Sequence, residues 1–240
     1  MSELDMIQQK LALVRQAVGD CAEKFGRPRE SVKLIAVSKF FPAADIAAAC
    51  SAGQLDFGES KIQELTEKRQ YFSSRPAGAD ICWHLIGHLQ SNKVKNAVEL
   101  ADLIHSVDSF KLVEKLNQAA EAAGKQCKIL LEFNISGETS KHGFFPEEAR
   151  AAIACVLQAP HLKLCGLMTM APEGADYQAQ LAIFSSLRDL RDYFSGEFDI
   201  SLPELSMGMS QDYEAAIASG ATMVRIGSAI FGGRNYGRET

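Results

Sequence analysis

The sequence predicts an α/β protein: a single (β/α)8 TIM barrel with an extra N-terminal helix, forming one domain over residues 1–240. Three observations lead there. Eight short apolar or β-branched runs alternate strictly with seven helix-forming stretches, which is the pattern of a parallel sheet. Eight βα units in 240 residues match the usual size of a closed barrel. The first βα turn lacks G-x-G-x-x-G, and no Pro/Gly-rich linker, charge block or low-complexity tract marks a second domain.

The elements follow in order. Residues 3–25 place Leu4, Ile7, Leu11, Leu13, Val14, Val18 and Cys21 mostly at helical spacing and stop before "GRP", as an amphipathic helix would. The strands expected after it are "KLIAVSK" (33–39), "LDFGES" (55–60), "CWHLIG" (82–87) and "DLIHSVD" (102–108). Then come "KILLEFNIS" (128–136), "LCGLMTM" (164–170), "ELSMG" (204–208) and "TMVRIGS" (222–228). The helix formers between them are "AADIAAACSAG", "IQELTEKRQYF", "SNKVKNAVELA", "FKLVEKLNQAAEAAG", "PEEARAAIACVLQAP", "AQLAIFSSLRDLRDYF" and "DYEAAIASG".

Composition narrows the function. A chain that is 47% hydrophobic can bury a substantial core, and a net charge of -5 opposes the basic face that nucleic acid requires. The apolar runs are far shorter than a membrane span, and the polar, acidic start "MSELDMIQQK" is unlike a secretory leader, so a cytoplasmic protein is expected. Cys21, Cys50, Cys82, Cys127, Cys155 and Cys165 are scattered without a C-x-x-C pair. They read as buried thiols, with neither disulfides nor a metal site expected.

Barrel chemistry sits at the C-terminal ends of the strands, and phosphate often docks after strands seven and eight. The first strand ends on Lys39, an ammonium at the mouth of an apolar run. The second offers Glu59 and Ser60, the third His84 and Gly87, the fifth Asn134 and Ser136, and the sixth Met168 and Met170. "SMGMS" (206–210) and "RIGS" (225–228) each join serine and glycine ahead of a helical turn. Serine hydroxyls donate and glycine admits close backbone approach, so Ser206, Ser210, Gly227 and Ser228 on adjacent strands favour a phosphate cup over two ligand-free turns. Arg225, in the otherwise apolar "MVRIGSAIF", needs a specific partner, and a ring-nitrogen acceptor at the mouth would serve. A lysine able to condense with an aldehyde, a phosphate cup and a cation for a ring nitrogen together describe pyridoxal 5'-phosphate, PLP.

The motifs "LIAVSKF", "FGESKIQE", "WHLIGHLQSNK", "HSVDS", "NISGETSKHGF", "GLMTMAP" and "LSMGMSQDYEAAIASGATMVRIGSAIFG" run through nearly the whole chain. With them the sequence resembles the YggS/PROSC family of PLP-binding proteins, the pyridoxal phosphate homeostasis proteins, whose barrel is of the alanine racemase N-terminal-domain type. The resemblance implies that Lys39 carries the Schiff base, that Ser210, Gly227 and Ser228 hold the phosphate with Ser206 close by, and that Arg225 faces the pyridine nitrogen. It also implies Met168 near the ring and Asn134 in the neighbourhood of the site. His84 fits the family pattern H-x-x-G-x-L-Q-x-N-K as a hydrogen-bonded structural residue. Lys141 of "SKHG" is either a rim residue or a solvated loop lysine. One departure stands out: the family reads G-E-N-Y-x-Q-E after the second strand, where this chain has Ser60 and Lys61 in "GESKIQE", with Lys61 expected to point to solvent.

An arginine opposite the ring nitrogen disfavours the protonated pyridine that makes PLP a strong electron sink. The chain reaches Thr240 a few residues after the last barrel segment, so no closing domain is expected. The expected function is therefore a monomeric carrier or regulator in intracellular PLP homeostasis without efficient turnover, delivering PLP to PLP-dependent apoenzymes. A single-domain PLP-dependent amino acid racemase is the alternative, and a cofactor-free Schiff-base aldolase the third reading.

Overall fold

In the computed structural model, which describes residues 3–75, 78, 80–139 and 141–233, the eight expected strands close into a barrel in sequence order. They are β1 (Lys33–Val37), β2 (Asp56–Glu59), β3 (Cys82–Leu85), β4 (Leu103–Val107), β5 (Cys127–Glu132), β6 (Leu162–Met168), β7 (Glu204–Ser206) and β8 (Met223–Ile226). All pairs are parallel, and β1 closes on β8 with Lys33 opposite Met223 and Ala36 opposite Ile226.

Helices alternate with the strands: α2 (Ala43–Ser51), α3 (Ile62–Phe72), α4 (Val94–Leu100), α5 (Phe110–Ala122), α6 (Ala149–Leu157), α7 (Tyr177–Glu197) and α8 (Tyr213–Ala218). The additional helix α1 (Glu3–Lys24) precedes them, and a short α9 (Ser228–Phe231) follows β8. Helix α1 buries Ile7, Leu11, Val18, Cys21 and Ala22 and packs on α2, α8 and α9. Leu4 and Leu13, apolar but off that stripe, face solvent.

The strand period of two sorts side chains into two cores. Phe57, Trp83, Ile104, Leu131 and Val224 belong to the large core beneath the helices, whereas Ile35, Leu103, Leu130, Met168 and Met223 cluster separately in the barrel interior. Arg225 is two residues from Met223, and His105 two from Leu103, so the same parity turns both polar residues inward.

Where the structure departs from the expected spans, local chemistry explains it. The fifth strand was expected to continue to residue 136 but ends at Glu132. Beyond it, the Asn134 Oδ1 accepts hydrogen bonds from Ser136 Oγ and from the Gly137 N–H, which folds the chain into a side-chain-stabilised turn. In β6 the register moves from Leu164 opposite Ile129 to Gly166 opposite Leu130, so Cys165 is the extra residue of a bulge. A Cβ on Gly166 would lie 1.9 Å from the Glu204 carbonyl oxygen of β7, so that approach requires glycine.

Candidate functional site at the barrel mouth

The C-terminal strand ends surround a cleft of about 470 Å³. Lys39, Ser60, Ser210, Arg225, Gly227 and Ser228 all line it, with Phe41, Ile86 and Met170 supplying apolar wall. Sequence reasoning thus brought five of its candidates, from opposite ends of the chain, to one place: Lys39, Ser210, Arg225, Gly227 and Ser228.

Lys39 sits in the turn after β1, half-buried, and its backbone is anchored on both sides. The Ser38 carbonyl accepts from Lys68 Nζ at 2.8 Å, and the Phe40 N–H donates to Glu64 Oε2 at 2.7 Å. Ser38 Oγ donates to Glu59 Oε1 at 2.6 Å, and Lys68 Nζ is also 2.6 Å from that oxygen. Lys68 and Glu59 are both buried, so α3 and β2 clamp the turn from below. Phe40 adopts φ +70°, a left-handed backbone that costs a side-chain-bearing residue on the order of 1–2 kcal/mol. The turn is therefore held in place by its anchors.

In the same cleft, Ser210 Oγ and Ser228 Oγ stand 3.2 Å apart. Gly208, at φ +92°, allows the "SMGMS" loop to turn there; a Cβ would meet Ala216 Cβ at 2.6 Å. Asp212 Oδ1 accepts from the Met209 N–H and fixes the loop. A Cβ on Gly227 would come within 2.8 Å of the Val37 carbonyl oxygen, so glycine lets the end of β8 lie against the end of β1. Two hydroxyls, with serine and glycine backbone around them, can take an anion.

Arg225 lies under the cleft with 4% of its surface exposed. Its Nη1 donates to Ser206 Oγ at 2.6 Å and its Nη2 to the Thr169 carbonyl at 3.1 Å. Among the described residues, no carboxylate comes within ion-pair distance of it. Burial lowers its pKa to about 10, with Asp212 and Glu132 opposing from a distance. A buried cation held by neutral partners at a cleft floor is suited to an acceptor on a ligand. Glu132, also buried, is pushed up to about 7 by desolvation and by Asp108, against the pull of Arg225.

Three other candidates have different placements. Ser206 stands one hydrogen bond behind Arg225, and Met168 packs in the apolar cluster of the barrel interior. Asn134 is engaged in its own loop, where its Nδ2 donates to the Glu138 carbonyl at 2.8 Å. Lys141 pairs with Glu138 at 3.1 Å; Ser140 of the same "SKHG" motif lies outside the described residues. Lys61 is exposed, with Nζ 5.4 Å over the Phe40 ring, while its neighbour Ser60 reaches the cleft.

Sequence reasoning missed the support beneath the site: Lys68, Thr169, Asp212 and His105. The signal for His105 was available, since strand parity places it inside with Leu103. A lysine in the amphipathic helix α3 gave no such sign.

Comparison with known proteins identifies the family. Residues 10–235 match the family described as alanine racemase, N-terminal domain. The pyridoxal phosphate homeostasis protein of Vibrio cholerae is 39% identical over 233 residues, covering 97% of this chain and 98% of its own length. That of Pseudomonas aeruginosa is 40% identical over 234 residues, covering 98% of each. The solved structure of PipY from Synechococcus elongatus with PLP bound superposes with a TM-score of 0.82 at 38% identity, covering 94% of this chain and 100% of PipY. The chain belongs to the alanine racemase N-terminal-domain family, among the pyridoxal phosphate homeostasis proteins.

Proposed function

We propose that this chain binds PLP in the cleft at the barrel mouth and serves intracellular PLP homeostasis as a carrier or regulator without efficient turnover. The observation that carries the reading is Arg225, a buried guanidinium whose hydrogen-bond partners among the described residues are neutral, beneath a cleft whose rim bears Lys39 and the Ser210–Ser228 hydroxyl pair. These donors match an aldehyde, a ring acceptor and a phosphate on one flat ligand. PLP bound to PipY, a relative of 38% identity, supports the same assignment.

Lys39 supplies the amine for a Schiff base with the ligand aldehyde, with loss of water, and its anchored turn sets the reach of that amine. Ser210 and Ser228 donate to the phosphate, Gly227 keeps the strand ends close enough for them to do so, and Arg225 donates to the ring nitrogen. Asn134, Met168 and Ser206 support the site from around it. Bound PLP supplies an electron sink for carbanion chemistry, and a guanidinium donor at its ring nitrogen keeps that sink weak, which favours holding over turnover. The names of the curated relatives point the same way.

We further propose a single-domain, cytoplasmic monomer that exchanges PLP with PLP-dependent apoenzymes; no helix among the described residues is long and apolar enough to cross a membrane. The test is the visible spectrum of the protein with added PLP, before and after borohydride, with mapping of the modified lysine. Modification at Lys39, lost in Lys39→Ala, is expected. A protein that takes up no PLP, or is modified elsewhere, refutes the reading. Lys39-dependent stereochemical exchange of alanine or serine at enzymatic rates would establish the racemase instead.

A further inference from the structure

The barrel interior beneath the cleft holds a line of polar groups that ligand binding alone does not require. Arg225 Nη1 donates to Ser206 Oγ at 2.6 Å, and Ser206 Oγ is 2.8 Å from His105 Nδ1. His105 Nε2 is 2.9 Å from His84 Nδ1, and His84 Nε2 is 3.0 Å from Asp56 Oδ1. The five side chains come from β8, β7, β4, β3 and β2. Because Asp56 opens β2 whereas the cleft lies at the strand C-termini, the line crosses the barrel to its opposite face. There the Asp56 side chain is 23% exposed, with Lys33 Nζ 3.6 Å from it. Between the two ends, His84, His105 and Ser206 are almost completely buried.

With both imidazoles neutral, the two ends give every bond one direction. A guanidinium only donates and a carboxylate only accepts. Ser206 therefore accepts from Arg225 and passes its own proton to His105 Nδ1. His105 then donates from Nε2 to His84 Nδ1, and His84 donates from Nε2 to Asp56. In that arrangement each imidazole carries its single proton on Nε2. A proton added to either would put a second donor onto Ser206 and turn the hydroxyl hydrogen out of the line. Burial first, and the nearby cations Arg225 and Lys33, also hold the His105 pKa well below its usual value.

We propose that Asp56, His84, His105 and Ser206 are positioning residues that hold the Arg225 guanidinium under the cleft and set its donor strength toward the bound ring. Barrel interiors are ordinarily filled with branched apolar side chains, and burying this many polar groups is costly unless each is paired. Hydrogen bonds in series polarise one another, so a carboxylate at the far face makes Ser206 Oγ a stronger acceptor for Arg225. The proposal rests on the cleft being the PLP site, and its test separates the two ideas.

The first measurement needs no ligand: nitrogen NMR of the histidine-labelled protein at pH 7, with both His84 and His105 expected as neutral Nε2–H tautomers. An Nδ1–H tautomer or an imidazolium at either position overturns the proposal. The second is PLP titration of His84→Phe and His84→Gln. The Phe variant loses the two bonds that His84 makes, and its affinity should fall about fivefold or more, the scale of one net hydrogen bond, with a displaced visible maximum. Gln, whose amide both accepts and donates, should restore both. A Phe variant with wild-type affinity and spectrum overturns the proposal. If that variant fails to fold, the tautomers of the wild type decide. If the wild type binds no PLP, the functional reading fails, and the tautomers still decide whether the line has the stated direction.

Discussion

Replacing Lys68 by methionine should destabilise the protein in a pH-dependent way, and the structure sets both size and sign. Lys68 Nζ is 2.6 Å from Glu59 Oε1, and Glu59 is wholly buried, its second oxygen without a hydrogen-bond partner among the described residues. Removing one member of a buried pair typically costs 3–5 kcal/mol because the other charge is left uncompensated, so about 3 kcal/mol is expected at pH 8. Glu59 can escape that cost by taking up a proton. Burial already raises its pKa, and Lys68 is the strongest influence pulling it back, so the substitution raises it further. A carboxyl whose pKa is raised by folding contributes stability that is fully present below its unfolded value, about 4.5, and lost as pH climbs through the folded value. The penalty for Lys68→Met should therefore shrink to roughly 1–2 kcal/mol at pH 5, where mainly hydrogen bonds are missing. Urea denaturation at the two pH values measures this, and the loss at pH 8 corresponds to a Tm drop of about 6–12 °C for a chain of this size. Adding Glu59→Gln should recover much of the loss at pH 8. Equal penalties at pH 5 and pH 8, or less than about 1 kcal/mol at either, would refute the account.

Other outcomes follow from the same geometry. Glu132, raised to about 7, should make stability decline as pH rises through neutrality, by at most about 3 kcal/mol, and Glu132→Gln should flatten that slope in thermal melts from pH 5 to 8. Gly166→Ala would set a methyl against the Glu204 carbonyl and should cost more than about 3 kcal/mol; a Tm within a few degrees of the parent would contradict the bulge geometry. Ser210→Ala combined with Ser228→Ala should raise the PLP dissociation constant at least about tenfold by fluorescence titration, as expected for hydrogen bonds to a charged group, and an unchanged constant would remove the phosphate from that pair.

Much of the barrel was legible because parallel strands are buried on both faces and appear as short apolar runs, as in Leu34–Val37. Lys39 and Arg225 were legible for a related reason: each is a charge at the end of, or within, such a run. The end of β5 was not, because an asparagine side chain terminates the strand, and the alternation of Phe133 and Ile135 with polar residues reads as further strand. The groups that hold the site were hidden by distance along the chain. His105 and Ser206 are 101 positions apart, and only closure of the barrel brings them within 2.8 Å. Lys68 belongs to a helix that also carries Glu64, Glu67 and Arg69, so no pattern in α3 distinguishes it from them.

The pairing of β1 with β8 also determines when the site comes into being. Lys39 leaves the ribosome long before Ser228, and the seam that unites them is the closing pair of the barrel. A nascent chain can fold most of its βα units while this pocket is still open on one side. Loading must wait for the final strand to emerge, and a ligand bridging the seam then latches the finished barrel by mass action.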